Sequence, residues 1–294
     1  MKWMAESGTA ALAAVLLYAY GTAIVRTVPQ LSVISPVYLQ SSPLRLKEAA
    51  DFEKTVRRKQ LEGMIPVYYS HRGDSIDHVE HTWAAYDAAI AKGSRNIEQD
   101  LVMSSQGTLY VSHDENAWRI TGVNRNYYDM TDAEISRLRT ENGEQIHSLE
   151  DVFDRYGKSV NYIVEVRPFP EEVRQFIEIV KTSGMEDNVI VQCKNTALIH
   201  ELRTAFCRMP VLFLAMDLND VSAGLKNPDI DIISVNRKWL SSEMGIWIHS
   251  YGKLYSVWTL DTAREMNKAR RCSVDIFFTD DTALAQKMTR RETP

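Results

Sequence analysis

The sequence predicts an α/β fold, a (β/α)8 TIM barrel. Short apolar strands alternate with helical segments from Ile65 to Asp281, in about the number that such a barrel needs. Several of these strands end in charged or histidine side chains, as expected at the C-terminal rim of a barrel. A doubly wound open sheet is the alternative, but the first strand is not followed by the glycine-rich turn of that fold.

Composition agrees with a globular domain. Of 294 residues, 45% are hydrophobic and 25% are charged, which excludes a disordered chain, a collagen-like repeat and a polytopic membrane protein. The net charge of -5 offers no broad basic field, so we expect no nucleic-acid partner. Cys193, Cys207 and Cys272 are too scattered for a disulfide framework or a CxxC zinc site. Buried free thiols are expected, with a Cys193–Cys207 bond as the alternative.

An uncharged run at residues 8–25 precedes the barrel region. It is long enough for a transmembrane helix, and it lacks the polar stripe of a soluble helix. A cleaved signal peptide is the alternative, but no obvious A-x-A-like cleavage site is present. We therefore expect residues 1–27 to form a transmembrane or signal-anchor helix that holds an extracytoplasmic catalytic domain at the membrane.

Residues 28–66 have the composition of a connector. Prolines punctuate its first half. Its second half, LRLKEAADFEKTVRRKQLEG, is predicted to form an amphipathic helix that Gly63 caps. The barrel domain is then expected to cover residues 67–294.

The predicted strands are short and apolar, and charged or turn-forming residues bound them. The first ends at His71, and Gln106-Gly107 forms the turn before the third. In chain order the strands are IPVYYS, NIEQDLVMS, TLYVSHD, VNYIVEV, NVIVQC, PVLFLA, DIISV, KLYSVWTL and DIFFTD.

Helices are predicted between most of these strands. EHTWAAYDAAIAKG follows the first strand, and TALIHELRTAF follows NVIVQC. Short helices at residues 131–139 and 148–156 begin after Thr131 and Ser148, which are good N-caps. Pro170 lies near the first turn of PEEVRQFIEIVKTSG, where proline is tolerated.

Three carboxylates lie where barrel strands end. Glu98 and Asp100 are two residues apart on one strand, so both point to the same side. Glu165 ends a later strand. Because the C-terminal ends of barrel strands converge, the three could bind one hard divalent cation through oxygen. An E-x-D pair alone is usually exposed polar alternation, and only the joint pattern is specific.

Two histidines and an arginine lie in similar places. His71 and Arg72 follow the first strand, and His113 follows the third. Two histidines could act as acid and base near neutral pH. The guanidinium fork of Arg72 matches a phosphate group.

These motifs resemble those of the glycerophosphodiester phosphodiesterase family. The matching segments are HRGDSIDHVEHT, IEQD, VSHD, VEVR, SVWTLD and FFTD, between about residues 67 and 281. The family is a TIM barrel that hydrolyses glycerophosphodiesters with a divalent metal. The resemblance implies an acid–base pair (His71 and His113), ligands of one Ca2+ or Mg2+ (Glu98, Asp100 and Glu165) and contacts to substrate or phosphate (Arg72, Arg167, Glu80 and Trp258).

The sequence departs from the family pattern at three places. His81 replaces the asparagine of E-N-T, Arg167 replaces the lysine of E-x-K, and QCKN replaces a common Ser-Phe pair. These changes concern substrate fit more than metal or acid–base chemistry. We expect His147 at the surface and His200 at the surface or in packing. We expect a structural role for His249.

The expected activity is metal-dependent hydrolysis of a glycerophosphodiester to glycerol 3-phosphate and an alcohol. The substrate could be a small deacylated phospholipid or a surface polymer that bears glycerol phosphate. One alternative is a catalytically impaired barrel that serves as a binding module, but the complete set of site residues argues against it. A second is a phospholipase D-like relative that acts on lipid headgroups.

Overall fold

A computed structural model describes residues 67–289 of the chain. The predicted anchor at residues 1–27 and the connector at residues 28–66 lie outside the described residues. Among the helices between residues 67 and 289, none combines the length and apolar character needed to cross a bilayer.

Eight parallel strands form a closed barrel, which confirms the predicted fold. The strands are β1 (Val67–His71), β2 (Asn96–Met103), β3 (Leu109–Val111), β4 (Asn161–Glu165), β5 (Val189–Cys193), β6 (Val211–Ala215), β7 (Ile232–Asn236), β8 (Leu254–Trp258) and β9 (Ile276–Thr279). Each barrel strand pairs with its neighbour in parallel register, and β1 closes the ring by pairing with both β2 and the last strand, β9.

Strand β3 is not one of the eight barrel strands. It runs antiparallel to β2, with Leu101 opposite Val111 and Met103 opposite Leu109. The connection between these strands is too short for the crossover of a dozen or more residues that a parallel neighbour requires. The prediction that TLYVSHD ends at the barrel rim like the other strands is therefore wrong. The segment forms a hairpin with β2.

Ten helices accompany these strands in the described part of the chain. Thr131 and Ser148 cap their helices as predicted, each in a capping box, with Glu134 and Asp151 as the partners. The helix expected over residues 131–139 is shorter than predicted. The helices are α1 (Trp83–Ala91), α2 (Trp118–Thr121), α3 (Asp132–Ile135), α4 (Leu149–Tyr156), α5 (Pro170–Ser183), α6 (Thr196–Ala205), α7 (Leu218–Lys226), α8 (Ser242–Ser250), α9 (Ala263–Arg271) and α10 (Thr282–Thr289).

Successive side chains of each strand point to opposite faces, and this separates two apolar layers. One face of each strand packs against the helices, and the other face fills the barrel interior. The interior layer contains Val67, Tyr69, Ile163, Ile190, Leu212, Ile232, Ile276 and Phe278. Since strand side chains alternate, His71 shares a face with Tyr69, and Glu165 shares a face with Ile163. These polar side chains therefore lie above an apolar plug, at the C-terminal mouth of the barrel.

The hairpin and the segment after it have a hydrophobic core of their own. It brings together side chains of β2, β3 and the short helices that precede α4, namely Val102, Tyr110, Ala117, Ile120, Tyr127, Met130, Ile135, Leu138 and Ile146. We call this unit, residues 104–147, the insertion.

The three cysteines, all within the described residues, are free thiols, with Cys193 and Cys272 buried and Cys207 exposed.

Candidate active site

The three predicted acidic residues meet at the mouth of the barrel. Asp100 of β2 lies in register with Glu165 of β4, and Glu98 is two residues earlier on β2. One carboxylate oxygen from each residue lies within 4.8 Å of the others, and all three side chains are buried. Carboxyl groups at such distances can share a single cation.

The three carboxylates differ in the direction of their pKa shifts. Burial and the neighbouring Asp100 raise the pKa of both Glu98 and Glu165. Burial also opposes ionisation of Asp100. Its hydrogen bond with His81 and the charge of Arg72 outweigh that effect, and the Asp100 pKa lies below its usual range. A bound cation would favour the ionised form of these buried carboxylates, and their all-oxygen donor set fits a hard divalent ion.

His71 ends β1 beside this triad. Its Nε2 lies 3.9 Å from Glu98 Oε2, whereas its Nδ1 lies 2.6 Å from Asp280 Oδ1. Asp280 follows β9 and also accepts a hydrogen bond of 3.0 Å from Ser75. Burial opposes its ionisation, but the His71 bond holds the Asp280 pKa below its usual range. The carboxylate therefore engages one ring nitrogen, and the other faces the triad.

Asp280 is a site residue that our sequence reasoning missed. The motif FFTD was noted, but no role was given to its aspartate. The available signal was its place directly after a barrel strand, the same signal that identified the acidic triad.

The turn after β1 depends on a glycine. Gly73 has φ +93°, and a Cβ at this position would lie 2.8 Å from backbone and side-chain atoms of Ala85. Only glycine fits such a close approach without rearrangement. This turn brings Arg72 back over β2, where its backbone N–H donates to Glu98 Oε2 at 3.3 Å.

His113 comes from the insertion, two residues beyond β3. Its Nδ1 lies 2.7 Å from Asp114 Oδ1, and its side chain is 41% exposed. It is close enough to the triad for its charge to contribute to lowering the Asp100 pKa. The structure thus brings both predicted histidines to the site, each with Nδ1 beside an aspartate.

Arg72 is held between two carboxylates. Its Nε lies 3.0 Å from Asp100 Oδ2 in an ion pair whose angle does not make a hydrogen bond. Its Nη1 donates to both oxygens of Glu80, each at 3.1 Å. The positively charged guanidinium of Arg72 therefore lies beside the triad, and its predicted contact with phosphate stays a prediction.

Glu80 joins two arginines. Besides Arg72, it accepts hydrogen bonds of 2.7 and 2.8 Å from Arg119, a residue of the insertion. Burial opposes ionisation, but the bond from Arg119 and the nearby charges lower the Glu80 pKa to about 2. The contact between Glu80 and substrate stays a prediction, whereas its bonds to the arginines tie the β1–α1 loop to the insertion.

Arg167 points at backbone carbonyl groups. It donates to the carbonyl oxygen of Leu101 at 3.2 Å and to that of His113. Its Nη1 lies 3.8 Å from Glu165 Oε1. The residue therefore connects β4, β2 and the loop that carries His113, and its predicted contact with phosphate stays a prediction.

Trp258 ends β8 at the same mouth. It packs against the interior layer of the barrel. Its indole Nε1 is buried, and within residues 67–289 it has no hydrogen-bond partner. A buried donor of this kind is uncommon, since most find a partner. The predicted contact between Trp258 and substrate stays a prediction.

The remaining histidines are mostly peripheral. His200 is exposed as expected, and His249 binds Asp275 at 2.7 Å in a structural ion pair. The expectation that His147 lies at the surface is wrong. Its ring is 3.7 Å from that of Trp83 in a stacked arrangement, and the residue is only 8% exposed. Packing by an aromatic residue distant in the chain explains the difference.

Comparisons with known proteins identify the family of the chain. Residues 71–284 match the profile of the Glycerophosphoryl diester phosphodiesterase family. A glycerophosphodiester phosphodiesterase of Caldanaerobacter subterraneus is 25% identical over 247 residues, covering 78% of this chain and 99% of the relative. The human lysophospholipase D GDPD1 is 33% identical over 190 residues, covering 60% of this chain and 59% of the relative.

Solved structures share the fold. A phosphodiesterase of Oleispira antarctica, in complex with the product sn-glycerol-3-phosphate, has a TM-score of 0.70 at 18% identity, over 76% of this chain and 96% of that one. A putative glycerophosphoryl diester phosphodiesterase of Silicibacter pomeroyi also has a TM-score of 0.70, at 20% identity, over 78% of this chain and 96% of that one. With its barrel, its acidic triad and a profile match over most of its length, this chain belongs to the glycerophosphoryl diester phosphodiesterase family.

Proposed function

We propose that this enzyme, a glycerophosphodiester phosphodiesterase, hydrolyses its substrate to glycerol 3-phosphate and an alcohol with one divalent cation and the pair His71 and His113. The observation that carries the proposal is the buried triad of Glu98, Asp100 and Glu165. The product found in the Oleispira antarctica relative supports the class of substrate.

The cation, Ca2+ or Mg2+, would be held by the triad and would supply charge that offsets the phosphoryl oxygens. Arg72 is the protein's own contribution to that charge. A guanidinium beside the developing negative charge stabilises the transition state more than the substrate. Its bonds to Glu80 fix its position before substrate arrives.

The two histidines share one arrangement. His71 has Nδ1 against Asp280, and His113 has Nδ1 against Asp114. Each aspartate accepts a hydrogen bond from Nδ1–H and leaves Nε2 to exchange a proton with the substrate. One imidazole accepts the proton of the attacking group, while the other imidazolium gives a proton to the departing alkoxide.

We further propose that the attacking group is the neighbouring hydroxyl of the glycerol. Its oxygen forms a bond to phosphorus while the bond to the alcohol breaks, which leaves a cyclic phosphate. Water then opens the cyclic ester, and the two histidines exchange roles. Attack from within the substrate gains the effective concentration of an intramolecular reaction, which accounts for about 7–11 kcal/mol of barrier.

A substrate pair tests this route. A 2-deoxyglycerol phosphodiester keeps the charge and the leaving group but lacks the attacking hydroxyl. It should bind comparably and turn over at least about a hundredfold more slowly at saturating cation. Equal turnover would mean that water attacks directly.

The main activity assay is release of glycerol phosphate from a panel of glycerophosphodiesters, with and without chelator. The human lysophospholipase D relative favours a second candidate, cleavage of a headgroup from a lysolipid. Parallel assays on a lysolipid and on its deacylated counterpart separate the two. A barrel that binds without catalysis would release the headgroup alcohol from neither.

We also propose that the uncharged run at residues 8–25 holds the enzyme at a membrane with its catalytic domain outside the cytoplasm. In that place the enzyme would meet a glycerol-phosphate polymer as well as small diesters. Sequencing the mature N-terminus from the native cell tests the anchor. A mature chain that starts at or beyond Thr27 would contradict it.

A further inference from the structure

His81 is buried next to the acidic triad. It stands where the family pattern has asparagine, and it is 3% exposed. Its Nε2 lies 3.2 Å from Asp100 Oδ2, and its Nδ1 lies 3.0 Å from the hydroxyl of Tyr86. That hydroxyl also lies 3.3 Å from the side-chain nitrogen of Gln99, which donates to it. Four side chains thus form one buried series of hydrogen bonds that ends on Asp100.

The carboxylate of Asp100 at the end of the series determines which atom donates and which accepts in each hydrogen bond. Ionised Asp100 can only accept a hydrogen bond, so Nε2 of His81 must carry a proton. Gln99 donates to the hydroxyl of Tyr86, so the O–H of Tyr86 has Nδ1 of His81 as its acceptor. Nδ1 therefore carries no proton, and the one proton of the ring lies on Nε2.

The same series with donors and acceptors exchanged would be unfavourable at the carboxylate of Asp100. If Tyr86 donated to Gln99, Nδ1 of His81 would have to donate to Tyr86. A neutral ring would then present a lone pair to Asp100 Oδ2 at 3.2 Å, which is repulsive. The carboxylate therefore selects the tautomer, and the tyrosine stabilises it.

His81 and Arg72 both approach one oxygen of Asp100, His81 through a hydrogen bond and Arg72 as an ion pair. Both His81 Nε2 and Arg72 Nε lie within 3.2 Å of Oδ2. We propose that His81, as the neutral Nε2–H tautomer, is a positioning residue that fixes the Asp100 carboxylate so that Oδ1 is presented to the divalent cation. The inference rests on the proposed function, since it concerns the cation of that site.

The backbone explains which side chains this position accepts. His81 has φ +59°, in the left-handed region where asparagine and histidine are enriched. An asparagine nitrogen is as many bonds from Cα as Nδ1 of histidine, so it would end near Tyr86. A glutamine nitrogen is as many bonds away as Nε2 and could replace the donor to Asp100.

Three variants test the proposal through cation binding in the absence of substrate. Calorimetry with Ca2+ and with Mg2+ on the cation-free protein should show about 10–100-fold weaker binding for His81→Ala and His81→Asn. His81→Gln should stay within about threefold of the unchanged protein. His147→Gln is the matched control, since it replaces a buried histidine that contacts no triad residue in the structure. Unchanged affinity in His81→Ala and His81→Asn would overturn the proposal.

A measurement on the unchanged protein avoids any dependence on folding of a variant. Long-range 1H–15N correlation spectra report the tautomer of each histidine, and His81→Gln identifies the signal that belongs to His81. We expect the Nε2–H form both with and without cation. In Tyr86→Phe the donor to Nδ1 is missing, so the 15N resonance of Nδ1 should shift toward the value of an unprotonated imidazole nitrogen that accepts no hydrogen bond. The Nδ1–H form, an imidazolium, or an Nδ1 resonance unchanged by Tyr86→Phe would each overturn the proposal.

The outcomes also separate this inference from the proposed function. If cation affinity depends on His81 but no glycerophosphodiester is hydrolysed, the proposed function fails and the positioning role stands. If hydrolysis requires the cation but the affinity for the cation is the same in the His81 variants, the positioning role alone fails.

Discussion

The hydrogen bond between His71 and Asp280 allows the loss of kcat in Asp280→Asn to be predicted. Asp280→Asn keeps the volume of the side chain but removes its charge, and its amide group can present an N–H to Nδ1 instead of an acceptor. The bond is 2.6 Å long and involves an ionised partner. Hydrogen bonds to charged groups contribute about 1.5–3 kcal/mol. If that amount is lost from the transition state, kcat falls about 10–150-fold, since about 1.4 kcal/mol corresponds to a factor of ten.

The assay is turnover of a glycerophosphodiester at saturating cation, together with cation affinity by calorimetry. Cation affinity should change little, because His71 lies between Asp280 and the triad. Asp275→Asn is the matched control. It breaks a His–Asp pair of 2.7 Å with His249, away from the barrel mouth. It should lower thermal stability and leave kcat unchanged.

A kcat for Asp280→Asn within about twofold of the unchanged enzyme would refute the reasoning, because the measured effect would fall below the smallest value expected for such a bond. An equal loss in Asp275→Asn would show that the effect reflects general destabilisation.

Three further predictions concern charge and packing. Glu165→Gln removes one ligand charge with little change of volume, and calorimetry should show cation binding weakened at least about tenfold. The pKa of Glu80 is lowered from 4.5 to about 2, so its stabilisation is complete above about pH 4.5 and is lost as pH falls toward 2. Denaturant titrations should show that the free energy of unfolding falls by about 3 kcal/mol between pH 6 and pH 2. This part of the pH dependence should be missing in Glu80→Gln. His147→Ala should lower the free energy of unfolding by about 1–3 kcal/mol through the lost stack on Trp83, with kcat unchanged.

The barrel and the triad could be predicted because both follow from local rules. Strand and helix alternation is visible in the sequence, and Glu98 and Asp100 share a face by the two-residue period of a strand. Convergence with Glu165 then follows from closure of the barrel. No knowledge of tertiary packing was needed for these inferences.

Other features depend on partners that a sequence does not reveal. The apolar pattern of TLYV is the same in a parallel and an antiparallel strand, and only the short connection indicates a hairpin. The burial of His147 depends on Trp83, and the partner of His71 is the residue that follows the last strand of the barrel. Such long-range contacts are set by the fold and not by local composition.

The separate core of the insertion has a consequence for how this enzyme can change. His71 belongs to the barrel, whereas His113 belongs to a unit whose apolar side chains pack mainly with one another. Arg167 and Glu80 join the two units. The distance between the two histidines is therefore set where the insertion meets the barrel. Under the proposed mechanism, substitutions within the insertion would change the distance between the two proton-exchanging groups and leave the three carboxylates of the proposed cation site unchanged.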